Sequence, residues 1–194
     1  MNILAVDTAG KTAGVALLQD DRLLYEVYLD AGMTHSETLM PMIDTCLKMC
    51  GMTCADIDLY GVNAGPGSFT GLRIGLAAVK GLAFPRETLC APVSTLEALA
   101  AAHTGEGTVL CALDARLATH ARLLDDDARA VSDLAEFVEN CKKPLFFVGD
   151  GASLCYNKYG NVPGVLEAPP ALRGGRAGAV ALVAKQMAQA GQAV

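Results

Sequence analysis

The chain runs through one plan twice. NILAVDT (Asn2–Thr8) is an apolar run that ends on an acid, and TVLCALDA (Thr108–Ala115) repeats it with Asp114 in the place of Asp7. After the first run, AGVALLQ (Ala13–Gln19) reads as a strand beyond a short turn through Gly10. RLLYEVYLD (Arg22–Asp30) follows the tight Asp20–Asp21 turn, giving an antiparallel meander. After the second run, LATHARLL sits where GVALL sat. The two halves agree in pattern better than in identity, so duplication is a hypothesis raised by spacing. In the first half, helices are expected over about Ser36–Cys50, Thr70–Phe84 and Ser94–His103, with short strands at DLYGVNA (Asp58–Ala64) and TLCAPV (Thr88–Val93). The second half holds a helix at SDLAEFVENC with Ser132 as N-cap, a buried strand PLFFVGD (Pro144–Asp150) and an alanine-rich helix over about Ala177–Ala190. Pro169, Pro170, Gly174 and Gly175 predict a flexible connection to that last helix. Strands followed by helices, twice over, predict a two-lobed α/β protein with a first lobe over 1–104 and a reduced second lobe over 105–194.

Between the fourth strand and its helix lies NAGPGSFTGLRIG (Asn63–Gly75), a glycine loop of the kind that often holds phosphate. Neither nucleotide fingerprint fits it. The P-loop pattern needs a lysine and a hydroxyl after its last glycine, where Leu72 and Arg73 stand, and the dinucleotide pattern needs glycine where Thr70 stands. Ser68 lacks the flanking glycines of an esterase elbow, Pro66 and Thr70 taking those positions, and reads as a helix cap. In the helix that follows, Gly71, Gly75, Ala78 and Leu82 share one face, while Arg73 and Lys80 share the opposite one. Each glycine costs such a helix about 1 kcal/mol against alanine, so another backbone is expected to pass close by. Packing inside the same lobe accounts for the glycines equally well.

The preceding helix carries a wide apolar arc. Leu39, Met42, Ile43, Cys46, Leu47 and Cys50 form a stripe that Met40 and Met49 broaden to roughly 180°, against the usual ~100°. Five of the seven methionines fall between Met33 and Met52, and methionine suits a surface that repacks against a partner. A helix buried in its own lobe is the competing explanation; the width of the arc favours an interface. Thr34 and Glu37 have capping-box spacing, which leaves Pro41 inside the helix, so the helix starts later or kinks.

Bulk composition narrows the classes. The interior must be aliphatic, because 52% of residues are hydrophobic while Trp is absent and Tyr and Phe number five each. A net charge of −6 leaves no basic footprint for RNA or DNA, so any nucleic-acid contact is expected to draw its charge from another subunit. Arg73, Lys80 and Glu97 interrupt the longest apolar runs, which predicts no membrane span. MNILAVDTAG has no basic n-region and reaches an acid at Asp7, so it does not read as a secretion signal. The seven cysteines contain no CxxC pair and read as free thiols. Cys46, Cys50 and Cys54 have helical spacing, but Gly51 is expected to end the helix before Cys54.

GPGSFTGLRIG, with VNA before it and AAVKGLA after it, resembles the TsaB (YeaZ) family. LAVDTAGKTAGVALL, HSETLMPMID, APVSTLEALA, the LDAR of Leu113–Arg116 and VGDGA (Val148–Ala152) match in order over most of Met1–Ala152. The resemblance implies the actin-like, sugar-kinase and Hsp70 (ASKHA) fold, built from two lobes of βββαβα type. It implies a cytoplasmic, non-catalytic dimerisation subunit of the machinery that makes N6-threonylcarbamoyladenosine on tRNA. In that machinery TsaD is the catalytic partner and holds the metal, and TsaE is an ATPase that docks on the pair. A homodimer is expected when TsaD is absent.

The TsaD metal motif, H-x-x-x-H, falls on Thr95 and Leu99 when laid onto APVSTLEAL, and no H-x-x-x-H occurs in this chain. No catalytic or metal site is therefore expected. The partner interface is expected at Leu39, Met40, Met42, Ile43, Cys46, Leu47 and Met49 on one helix, and at Gly71, Ile74, Gly75, Ala78 and Leu82 on the next. Asp7, Thr8 and Gly10, with Gly149, Asp150 and Gly151, echo the superfamily's nucleotide elements, and weak or no ATP or ADP binding is expected. Asp7 equally fits a plain strand end. Two departures from the family stand out: LDARLATHARLLDDD lacks the usual G-E-V-Y after LDAR, and the segment up to Val194 lacks a P-x-Y-[LV]-R stretch. The alternatives are an active phosphotransferase or ATPase of the same fold, and a peptidase-like metalloprotein.

Overall fold

The computed structural model describes residues 1–32, 34–103, 106–113, 120–122, 128–130, 134–169 and 174–194. It forms two compact units: Met1–Ala98 together with Gly175–Val194, and Leu99–Gly174.

The first unit is a five-stranded sheet in the order β3-β2-β1-β4-β5. Its strands are β1 (Asn2–Asp7), β2 (Ala13–Gln19), β3 (Arg22–Leu29), β4 (Leu59–Gly65) and β5 (Leu89–Ser94). The meander is antiparallel, and β4 and β5 join β1 in parallel, with Val6 beside Val62 and Asn63 beside Val93. Helices α1 (His35–Met49) and α2 (Phe69–Ala83) pack on one face around Leu4, Val6, Val15, Leu17 and Tyr60. Alternation along the strands sends Ile3, Ala5, Leu18, Ala91 and Val93 to the opposite face, where they are buried by α6 (Ala177–Gln189). Gly61 permits that approach, since a Cβ there would lie 2.9 Å from the Ala184 methyl.

Alpha-helix α1 contains Pro41 without a Thr34 side-chain cap, so the expected capping box does not form. Pro41 sits on the exposed side, and its carbonyl accepts the Thr45 hydroxyl at 2.8 Å. Gly51, with φ +65°, turns the chain after α1 as expected, and Cys54 stands beyond it in a short 3-10 turn, off the helix that carries Cys46.

In the second unit, β6 (Thr108–Cys111), β9 (Leu145–Val148) and β10 (Val165–Glu167) form a parallel sheet in the order β10-β9-β6. A separate antiparallel pair joins β7 (His120–Arg122) to β8 (Ala128–Ala130). Helices α4 (Ala135–Asn140) and α5 (Ala152–Tyr159) complete the unit around Leu110, Leu134, Leu145 and Phe147. With α3 (Thr95–Ala101) closing the first series, strands and helices follow a βββαβαβα order twice, the second time with shorter strands. Asp114, Ala115 and Arg116 of the LDAR motif, Leu117, Ala118 and Thr119 after it, the Ser132 cap and Pro170 lie outside the described residues.

One expectation needs correction. The last helix belongs to the second series by sequence, yet it packs on the sheet of the first unit, so 105–194 is not one lobe. The physical reason lies in α6 itself: Ala177, Gly178, Ala179, Val180, Ala181, Val183 and Ala184 are all buried, and such a small-sided helix covers a flat aliphatic sheet closely. Glu26 of β3 anchors it. Its carboxylate accepts the Gly178 N–H at 2.9 Å and the Arg176 guanidinium at 2.7 Å.

Candidate functional site

The glycine loop is explained by the lobe that contains it. Ser68 caps α2, its Oγ accepting the Gly71 N–H at 3.3 Å, and the Ser68 N–H donates to Ala9 O at 2.6 Å. A Cβ on Gly67 would lie 2.6 Å from Ala9 O, one on Gly71 2.1 Å from Thr8 O, and one on Gly75 2.4 Å from Thr8 Oγ1. The backbone that passes close to α2 is the turn after β1. Thr8 seals the contact by donating its hydroxyl to Gly71 O at 2.8 Å.

This corrects the expected interface at Gly71 and Gly75, which are buried against Thr8. Leu39, Met42, Ile43, Cys46 and Leu47 are likewise core residues of the first unit. The sheet beneath α1 is broad enough to bury the whole stripe. Met40 and Met49 do reach the surface, at 47% and 73% exposed, while Ile74, Ala78 and Leu82 are half-buried beside the core.

The outward face of α2 carries the residues that sequence reasoning missed. Phe69 and Phe84 are 68% and 82% exposed at its two ends. Arg73, Ala77, Lys80 and Gly81 are exposed between them, and the Arg73 guanidinium lies 3.8 Å from the centre of the Phe69 ring. The signal was legible in the shared face of Arg73 and Lys80, since Phe69 and Phe84 fall on that same side at 100° per residue.

A second cluster lies at the carboxyl ends of β1, β4 and β5. Asp7, Asn63 and Thr95 are buried, and Asp7 Oδ2, both Asn63 amide atoms and Thr95 Oγ1 meet no hydrogen-bond partner among the described residues. Asp7 Oδ1 accepts the Ala9 N–H at 3.0 Å. Burial pushes the Asp7 carboxyl above its ordinary range; the Ala9 N–H, the Asn63 amide beside it and nearby His35 pull the other way. Gly175 covers the carboxylate so closely that a Cβ there would meet Oδ2 at 1.9 Å. Of the expected nucleotide elements, Thr8 is bound to Gly71, and Gly10 O accepts Nε2–H of His35 at 3.0 Å. Gly149 and Gly151 approach Ala112 and Leu113 in the second unit, where a Cβ on Gly149 would lie 2.1 Å from Ala112 O; Asp150 is exposed.

Among the described residues no three His, Cys, Asp or Glu side chains gather as a metal-binding group. Thr95 and Leu99, at the positions of the H-x-x-x-H motif, are both buried. The seven cysteines are free thiols, and burial pushes Cys46 and Cys111 up to about 12. No helix among the described residues is long and apolar enough to cross a membrane.

Comparison with known proteins agrees with this architecture. The family model described as TsaD, tRNA N6-adenosine threonylcarbamoyltransferase, matches residues 29–156. The tRNA threonylcarbamoyladenosine biosynthesis protein TsaB of Bacillus subtilis is 32% identical over 79% of this chain and 73% of its own length. TsaB of Escherichia coli is 38% identical over 60% of this chain, which spans about half (52%) of that relative. The structure of YeaZ from Pseudomonas aeruginosa superposes with a TM-score of 0.76 at 26% identity, covering 100% of this chain and 94% of that one.

Proposed function

Because this chain belongs to the TsaB (YeaZ) family of tRNA threonylcarbamoyladenosine biosynthesis proteins, with the two-lobed ASKHA fold, we propose that it is a non-catalytic dimerisation subunit. Its role is to hold the catalytic, TsaD-like subunit of the complex that modifies tRNA. The observation that carries this reading is the pairing of a transferase-type frame with Thr95 and Leu99 in place of metal-binding histidines. Aliphatic and hydroxyl side chains cannot replace imidazole there, so the chemistry belongs to the partner.

The partner-binding surface is the exposed side of α1 and α2, with Met40, Met49, Phe69 and Phe84 as its apolar anchors and Ile74, Ala78 and Leu82 at its edge. A TsaE-like ATPase docks on the assembled pair, and tRNA is reached through the other subunits, in keeping with the net charge of −6. Nucleotide binding by this chain is weak or absent, because Thr8 and Gly10 are engaged inside their own lobe.

The test is reconstitution. Purified chain alone should leave threonylcarbamoyl transfer to tRNA undetectable, and adding it to the TsaD-like subunit, the ATPase, the donor and tRNA should restore modification. Robust transfer by the chain alone would defeat the reading. Calorimetry with Mg–ATP separates the phosphotransferase alternative, which requires micromolar affinity and turnover.

A further inference from the structure

Apart from the partner role, which stands or falls separately, we propose that Asp7, Asn63 and Thr95 hold one monovalent cation, an alkali ion or ammonium, at the carboxyl end of the first sheet. The strand register brings them to one place. Val6 lies beside Val62, so the next residues, Asp7 and Asn63, are neighbours across β1 and β4. Asn63 in turn lies beside Val93, and Thr95 follows directly on the end of β5. Alternation sends Asp7 and Asn63 to the side of the sheet that α6 covers, in line with Ala5 and Gly61. The three side chains are only 3%, 0% and 3% exposed. Yet Asp7 Oδ2, both Asn63 amide atoms and Thr95 Oγ1 meet no hydrogen-bond partner among the described residues. Folded interiors pair nearly all such atoms, so four of them at one end of one sheet point to an occupant.

The chemistry of the set selects what fits. Asp7 Oδ2 and Asn63 Oδ1 accept, and the Thr95 hydroxyl faces either way, so hard oxygen acceptors dominate. Among the described residues no lysine or arginine forms an ion pair with Asp7, and His35 is the titratable side chain that acts on it. A carboxylate buried without a counter-charge is unfavourable, and one positive charge beside it restores the balance. A divalent ion leaves a charge over, and magnesium retains waters for which side chains this buried leave no opening. A phosphate group sets negative charge against negative charge. Gly175 closes the place from above, since a Cβ on it would meet Oδ2 at 1.9 Å. The ion therefore ties the ends of β1 and β4 to the start of α3, under the backbone that leads into α6.

The test follows thermal melting of the full chain at pH 8 and constant ionic strength, with choline chloride exchanged stepwise for sodium, potassium or ammonium chloride. Choline is too large to enter, which leaves a proton as the only counter-charge for Asp7. At ten times its dissociation constant the fitting ion should raise the melting temperature by about 3 °C or more, and Asp7→Asn should cancel the rise. A rise with sodium or potassium assigns coordination by oxygen, and a rise with ammonium alone assigns hydrogen bonding; both support the site. Equal melting in all four salts leaves the place to a proton or a water and overturns the proposal. An equal rise in wild type and Asp7→Asn is a general salt effect and overturns it as well. Should Asp7→Asn not fold, Thr95→Val decides. That variant should raise the half-saturating ion concentration by about fivefold or more, and a value within about twofold of wild type overturns the proposal.

Discussion

Gly71 and Gly81 sit in the same helix for different reasons, and substitution should separate them. Gly71→Ala drives a methyl into Thr8 O and should lower the unfolding free energy by about 2 kcal/mol or more, read from urea midpoints. Gly81 has nothing within 4 Å of a built Cβ, so Gly81→Ala should raise stability by up to about 1 kcal/mol. Asp7 gives a pH signature. Its raised pKa means that the folded chain keeps a proton which the unfolded chain loses above 3.8. Its contribution is therefore full below that value and is lost as pH climbs through the raised folded value. Asp7→Asn removes the decline, so the midpoint difference between variant and wild type should grow in the variant's favour with rising pH. A difference that stays flat from pH 3 to 8 would refute the assignment.

Among the elements, strands and helices of the first unit were legible because alternation and helical spacing are local signals. The end of α1 at Gly51 and the cap at Ser68 followed from turn and capping chemistry. The wide apolar arc of α1 misled because burial on a broad sheet and burial against a partner produce one pattern. The structure separates them at Met42 and Met49. Met42→Asp should unfold the first unit, at a cost of about 3 kcal/mol or more, while Met49→Asp should leave its circular dichroism and melting temperature unchanged. Elements α5 and β10 were missed: β10 is three residues long, and Tyr156, Asn157 and Lys158 blur the apolar period of α5. Glu26→Ala should release the start of α6, costing about 1–3 kcal/mol and speeding hydrogen exchange from Gly178 onward, with Glu26→Gln intermediate.

Across the whole molecule, the doubled plan was readable from the order of strands and helices, whereas the destination of the last helix was not. Nothing local in an alanine-rich segment says which sheet it will cover; that is decided by the flat aliphatic face formed by residues far earlier in the chain. The candidate surface divides the same way. Local spacing identified the two helices, and only the packed unit shows which sides of them remain outside.

The crossing of α6 back onto the first sheet also sets a timetable for synthesis. A ribosome delivers Met1–Ala98 long before Gly175–Val194, so the nascent first unit must wait with one oily flank uncovered while the intervening residues are translated. Stalled chains that have not yet released α6 should be protease-sensitive and bound by chaperones. Lengthening the stalled chain beyond Val194 by a linker long enough to free α6 from the ribosome should protect it.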